Sequence, residues 1–141
     1  MLAGGPAAFA RNHRRLLRDH PWAITPLIGR PYPGPDALSI GEAALRILQR
    51  AGNTGDPAVA AFSGIVVLNY GWSSFVLARE VAEAATDGGG VRLPPAPAPP
   101  EFPLTAAVSG PMNRYGSEGH NELTLKQLLA GIEADSRHLT R

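Results

Sequence analysis

Cysteine is absent from the chain, which excludes disulfide frameworks, thiolate zinc sites and cysteine nucleophiles and makes a reducing, cytoplasmic setting the expectation. Lysine occurs once, as Lys126, against twelve arginines. With 16 Gly, 14 Pro and abundant Ala, this is the bias of GC-rich bacterial coding sequence. Charged residues make up only 18% and the net charge is +1, so nothing in the overall balance favours wrapping nucleic acid. A secretory leader is not indicated either: the small apolar stretch before Arg11 precedes the positive charges, the reverse of a signal peptide.

What is present is enough to fold. Apolar residues reach 44% over 141 positions, which suits one globular domain over 1–141 with a real core. Its most informative stretch, Pro57 to Ala78, holds no charge at all. That length meets the threshold of about 20 residues for a membrane span. Its content argues otherwise, because Ser63, Asn69, Ser73 and Ser74 are polar, Gly64 and Gly71 dilute the hydrophobicity, and Arg79, Glu80 and Glu83 continue the same helical phase. The reading is a buried helix and no membrane contact.

No segment alternates with a period of two, so the whole chain is expected to be all-α. Ala7 to His20 reads as a helix with Phe9, His13, Leu16, Leu17 and His20 on one side and Arg11, Arg14, Arg15 and Arg18 largely on the other. Pro21 ends or bends it, and Trp22 to Ile28 suits a short helical turn limited by Pro26. Asp36 to Ala51 is a second helix whose polar ridge is only Glu42, Arg46 and Arg50; Gly52 is placed to stop it, and Asp56 and Pro57 to start the next. The long helix should run from Pro57 to about Ala85. A flexible Gly/Pro-rich loop is expected over 87–101, a short helix over Leu104 to Met112, and a final helix from Asn121 to His138.

At about 100° per residue, Ala60, Gly64, Val67, Gly71, Ser74 and Ala78 share one stripe of the long helix at alternating four- and three-residue steps, a heptad-type seam of mostly small residues. Such a face lets another helix axis approach closely, either the closing helix of the same chain or a second subunit. The opposite face carries Phe62, Ile65, Val66, Asn69, Trp72, Ser73 and Val76, bulky and aromatic around an amide and a hydroxyl. Those polar groups need partners, which neighbouring helices or a ligand in an aromatic-lined cavity could provide.

No catalytic constellation is found. There is no GxSxG elbow, and Gly88 to Gly90 follow no strand. His13 and His20 lie two helical turns apart, about 10 Å along the axis, too far to share an ion unaided, and no HxxxH or HExxH exists. We therefore expect no enzyme activity, no metal and no cofactor. Arg11, Arg14, Arg15 and Arg18 are the one basic cluster, read as a solvated helix face.

The order of elements resembles a known family. Arg14-Arg15-Leu16-Leu17-Arg18-Asp19-His20-Pro21-Trp22-Ala23 is similar to the helix–HPW junction in the C-terminal domains of tetracycline-repressor-type (TetR/AcrR) transcriptional regulators. Gly34-Pro35-Asp36-Ala37-Leu38 resembles the turn and helix start that follow there, and Leu125 to Ala134, with Gly131-Ile132-Glu133, their closing helix. The resemblance implies an effector-binding and dimerisation domain in which the long and closing helices of two subunits form a four-helix bundle, so that the seam becomes a homodimer interface through Gly64, Val67, Gly71, Ser74, Leu128 and Ile132. It implies a pocket for a small apolar or aromatic effector with one or two polar handles. The residues expected to line it are Trp22, Phe62, Asn69, Trp72 and Ser73, with His20 and Leu45 behind them. Lys126 and Ala130 stand where the family's closing helix commonly carries acids. The family's N-terminal helix-turn-helix has no counterpart in the sequence, so the chain alone is not expected to bind DNA; the alternative is a headless helical dimer that pairs with a complete regulator and has no effector.

Overall fold

A computed structural model of the chain describes residues 4–29, 34–86 and 101–139. Most of the expected 87–101 loop lies outside these residues. Every regular element among them is helical: α1 (Pro6–Asp19), a 3-10 turn (Pro21–Ala23), α2 (Ile24–Ile28), α3 (Pro35–Arg50), α4 (Gly55–Thr86), α5 (Pro103–Ala107), α6 (Ser109–Met112) and α7 (Glu118–Leu139).

Local chemistry sets the boundaries. Pro sits in the first turn of α1, α3 and α5, where its missing N–H costs no hydrogen bond. Helix α3 stops in a Schellman turn: Gly52 adopts φ +87°, its N–H bonds the Gln49 carbonyl, and the Asn53 N–H bonds the Leu48 carbonyl. Asp56, expected as a cap, lies instead within the first turn of α4, since the helix begins at Gly55, two residues before the expected Pro57. There its carboxylate still complements the positive helix end. The short helix expected over Leu104 to Met112 is two helical pieces, α5 and α6, and the closing helix starts three residues earlier than its periodicity suggested.

Helix α4 is the axle of the fold, with α1, α3 and α7 packed around it and α2 against it. Phe9 and Ala10 of α1, Ala44 and Ile47 of α3, Ile65 of α4 and Leu125 of α7 make the main core, closed by Phe62, Leu68, Leu128, Leu129 and Ile132. A smaller cluster of Leu48, Ala58 and Ala61 fills the corner between α3 and the start of α4. Along α4 the buried positions are Ala58, Ala61, Ile65, Asn69 and Ser73; the last three belong to the bulky face of the sequence reading, whose Phe62, Val66, Trp72 and Val76 are half-buried. Val59, Ala60, Ser63, Val67 and Gly71, by contrast, lie exposed on the other side.

The reading of α1 needs correction. Its buried face is Phe9, Ala10, Arg14 and Leu17, while Leu16 is 52% exposed and His20 lies exposed at the helix end. Helix α1 sits between α4 and α7 and so presents the Ala10–Arg14–Leu17 stripe inward. Arg14 is accommodated there because both neighbours supply oxygen acceptors. The four arginines are therefore no uniform solvated face.

Candidate functional site

Arg14 is 6% exposed, an unusual position for a guanidinium. Its Nη1 donates to Ser73 Oγ of α4 at 2.7 Å and its Nη2 to Glu118 Oε1 of α7 at 2.7 Å. Its Nε is buried and has no acceptor. One turn earlier, Arg11 forms a complete fork with Glu122, donating from both Nε and Nη2 to the two carboxylate oxygens. This pair holds the Glu122 carboxyl below its usual range, first through the hydrogen bond. Two Arg–Glu pairs thus fasten α1 to the first turns of α7.

A cleft of about 430 Å³ opens beside Arg14, within the size range of small-molecule sites. Its apolar wall is Leu17, Pro21, Ile24, Val76 and Leu77; its polar groups are Arg14, Arg18, Ser73, Glu80 and Glu118. Gly116 closes one edge. At φ +81° it adopts a backbone that side chains disfavour, and a Cβ there would come within 2.6 Å of the Phe75 ring. The Gly116 carbonyl accepts from Trp72 Nε1 at 3.3 Å, and Arg79 Nη1 donates to the Tyr115 carbonyl at 2.7 Å, so the turn before α7 is tied to α4.

A polar knot lies deeper, between α1 and α4. Asn69 Nδ2 donates to the Ala10 carbonyl at 2.9 Å and faces His13 Nδ1 at 3.1 Å. Because the amide nitrogen only donates, Nδ1 must be the acceptor and the ring carries its proton on Nε2. Burial pushes the His13 pKa below its ordinary value, in agreement with a neutral ring. Phe9 stacks near it, and Tyr70 meets it edge-on at 5.4 Å.

Of the residues expected to line a pocket, Ser73 is in this cleft. Trp72 is at its border through Gly116, while Asn69 is spent on the α1 backbone and Phe62 on the core beside Phe9. His20, Trp22 and Leu45 lie outside the cleft; Trp22 is 76% exposed, with His20 edge-on beside it, and Leu45 is on the open side of α3. The sequence reading missed Arg14, Leu17, Ile24 and Glu118. The available signal was Ala10–Arg14–Leu17, an i, i+4, i+7 stripe with an arginine at its centre.

The seam divides. Gly64 faces α7 of the same chain, where a Cβ would meet Leu128 Cδ1 at 3.3 Å. Gly71 is exposed, with open space where a Cβ would stand, Val67 is 66% exposed, and Ser74 is half-buried. Leu128 and Ile132 of α7 line an open, largely apolar groove of about 780 Å³ with Ala60 and Ala61. Among the described residues no group of three or more His, Asp or Glu could hold a metal.

No curated protein and no solved structure matches the chain. A family model does: the tetracyclin repressor-like C-terminal domain matches residues 6–136, which takes in every element from α1 through most of α7. With its all-helical fold and its axle helix flanked by a closing helix, the chain belongs to the tetracycline-repressor family through that C-terminal domain.

Proposed function

We propose that the chain is the effector-sensing and dimerisation domain of a TetR-family transcriptional regulator, acting as a cytoplasmic homodimer. The observation that carries this is the outer face of α4. The segment Gly55–Ala85 is long and apolar enough to cross a membrane, yet its most apolar 18-residue window, of mean hydropathy 1.4, is only 22% buried by the chain itself. Helix α4 is also engaged along its inner face by α1, α3 and α7, and it holds Asn69 and Ser73 in hydrogen bonds there. An aqueous partner for the outer face suits that arrangement better than lipid. Val59, Val67 and Gly71 form an exposed strip along α4, and the open space at Gly71 suits close packing against a twin.

The cleft beside Arg14 is the effector site in this reading, and α4 carries both a wall of the cleft and the exposed strip. Ligand binding would shift the relative setting of the two subunits, and with it the helix-turn-helix heads of a complete regulator. Mass in solution tests the dimer: the wild type should run as a dimer and Val67→Glu as a monomer. Thermal shift against a panel of hydrophobic small molecules tests sensing, because a binder gains stability by mass action.

A further inference from the structure

We infer that the effector is a monocarboxylate with a compact apolar body, and that its carboxylate takes the place of Glu118 on Arg14. The inference rests on the sensing role proposed above and names the ligand class of that cleft. The reason lies in how the guanidinium is used. Nε–H and Nη2–H point the same way and together match the two oxygens of one carboxylate. Arg11 shows the full match with Glu122 on the same helix. In Arg14 only Nη2 is engaged by Glu118, through one oxygen, and the adjacent Nε–H is buried without an acceptor. A ligand carboxylate seated on both would satisfy a donor that the unliganded fold leaves empty.

The two partners of the present pair are unequal. The Arg14 side chain is 7% exposed and the Glu118 side chain 55%. A buried guanidinium needs an anion at all times, whereas a half-exposed carboxylate can return to water at little cost. Exchange of one carboxylate for another is therefore the inexpensive move available to this site. The rest of the cleft describes the remainder of the ligand: Leu17, Ile24, Val76 and Leu77 offer an apolar wall. Two arginines and two glutamates leave the cleft without net charge, so a neutral apolar compound gains nothing from Arg14 and an acid gains only by displacing Glu118.

Displacement has a structural consequence. Glu118 is the first residue of α7, and its bond to Arg14 is one of the two fastenings of that helix to α1. Binding the acid and releasing the start of α7 are one event.

The test is a titration of the purified chain with straight-chain carboxylates from butyrate to decanoate and with their primary amides, followed by thermal shift and calorimetry. Acids should bind and amides of the same length should not. Glu118→Gln removes the competing charge and should tighten acid binding roughly tenfold, while Arg14→Lys, which keeps the charge and loses the fork, should abolish it. Hydrogen exchange over residues 118–124 should speed up with acid and not with amide. Equal binding of acids and amides would overturn the carboxylate assignment and leave the sensing role standing. Acids that bind neither the wild type nor Glu118→Gln would overturn it too. If the neutral hydrophobic panel is also without effect, the sensing role goes with it.

Discussion

Asn69, in the middle of α4, donates its side-chain amide to the Ala10 carbonyl of α1 at 2.9 Å. A carbonyl inside a helix already accepts from its own ladder, so this bond uses a second lone pair and fixes the register of α1 on the axle. The same amide reaches His13, and one residue therefore holds two positions one turn apart.

Replacing Asn69 with Ala should cost on the order of 1–3 kcal/mol, since it strands the His13 nitrogen in a buried setting. Urea denaturation of the variant checks this. A loss below a few tenths would mean that water serves the knot equally well.

The neutral His13 predicts an acid-sensitive fold. Its folded pKa lies below the ordinary 6.5 because of burial. Above that value the ring is neutral in both states. Below it the unfolded chain takes up a proton that the folded chain refuses, so this group's contribution falls as pH drops from 6.5 toward the folded pKa. A proton on Nδ1 would also set one N–H against another. Denaturation midpoints at neutral pH and at about one unit below the His reference value should differ more in the wild type than in His13→Gln, whose amide oxygen can still accept from Asn69.

Ser73 should behave as a support for Arg14. Ser73→Ala removes the acceptor of Nη1, and losing a bond to a buried charge costs about 1.5–3 kcal/mol. Ser73→Thr keeps the hydroxyl and should restore much of the loss. If Ala and Thr prove equally stable, the hydroxyl is not what holds the guanidinium.

The two seam glycines should part company on substitution. Gly64→Leu must push Leu128 away and should lower stability by about 1–3 kcal/mol. At Gly71 a Cβ has open space among the described residues and a side chain improves helix propensity, so the folded protomer of Gly71→Leu should hold or gain about 0.5–1 kcal/mol. Its expected defect is in association, seen as a protomer mass by light scattering. A dimer that survives Gly71→Leu would place the interface elsewhere.

Much of the helical layout could be read from residue order, because its punctuation is chemical. Gly52 and the prolines at helix starts act locally, and the small-residue stripe of α4 marks Val67 and Gly71 as outward, although Gly64 on the same stripe turns to α7. The site was harder to read. Arg14 looks like one arginine of a solvated ridge until Ser73, 59 positions away, and Glu118, 104 away, are brought against it. A buried charge is legible only with its partners, and these are long-range. Trp22 misleads in the opposite sense: a large ring suggests a lining residue, yet nothing in the described chain covers it, and it stands 76% exposed.

On α4, Ser73 and Gly71 are two residues apart, about 200° around the helix, and so point nearly opposite ways from the same turn. One borders the cleft and the other the open strip. A rigid rod of this kind works as a lever with no linkage between its arms: a tilt that widens one side re-aims the other by the same angle. Communication across the molecule would then require no chain of intermediates, only the stiffness of a single helix.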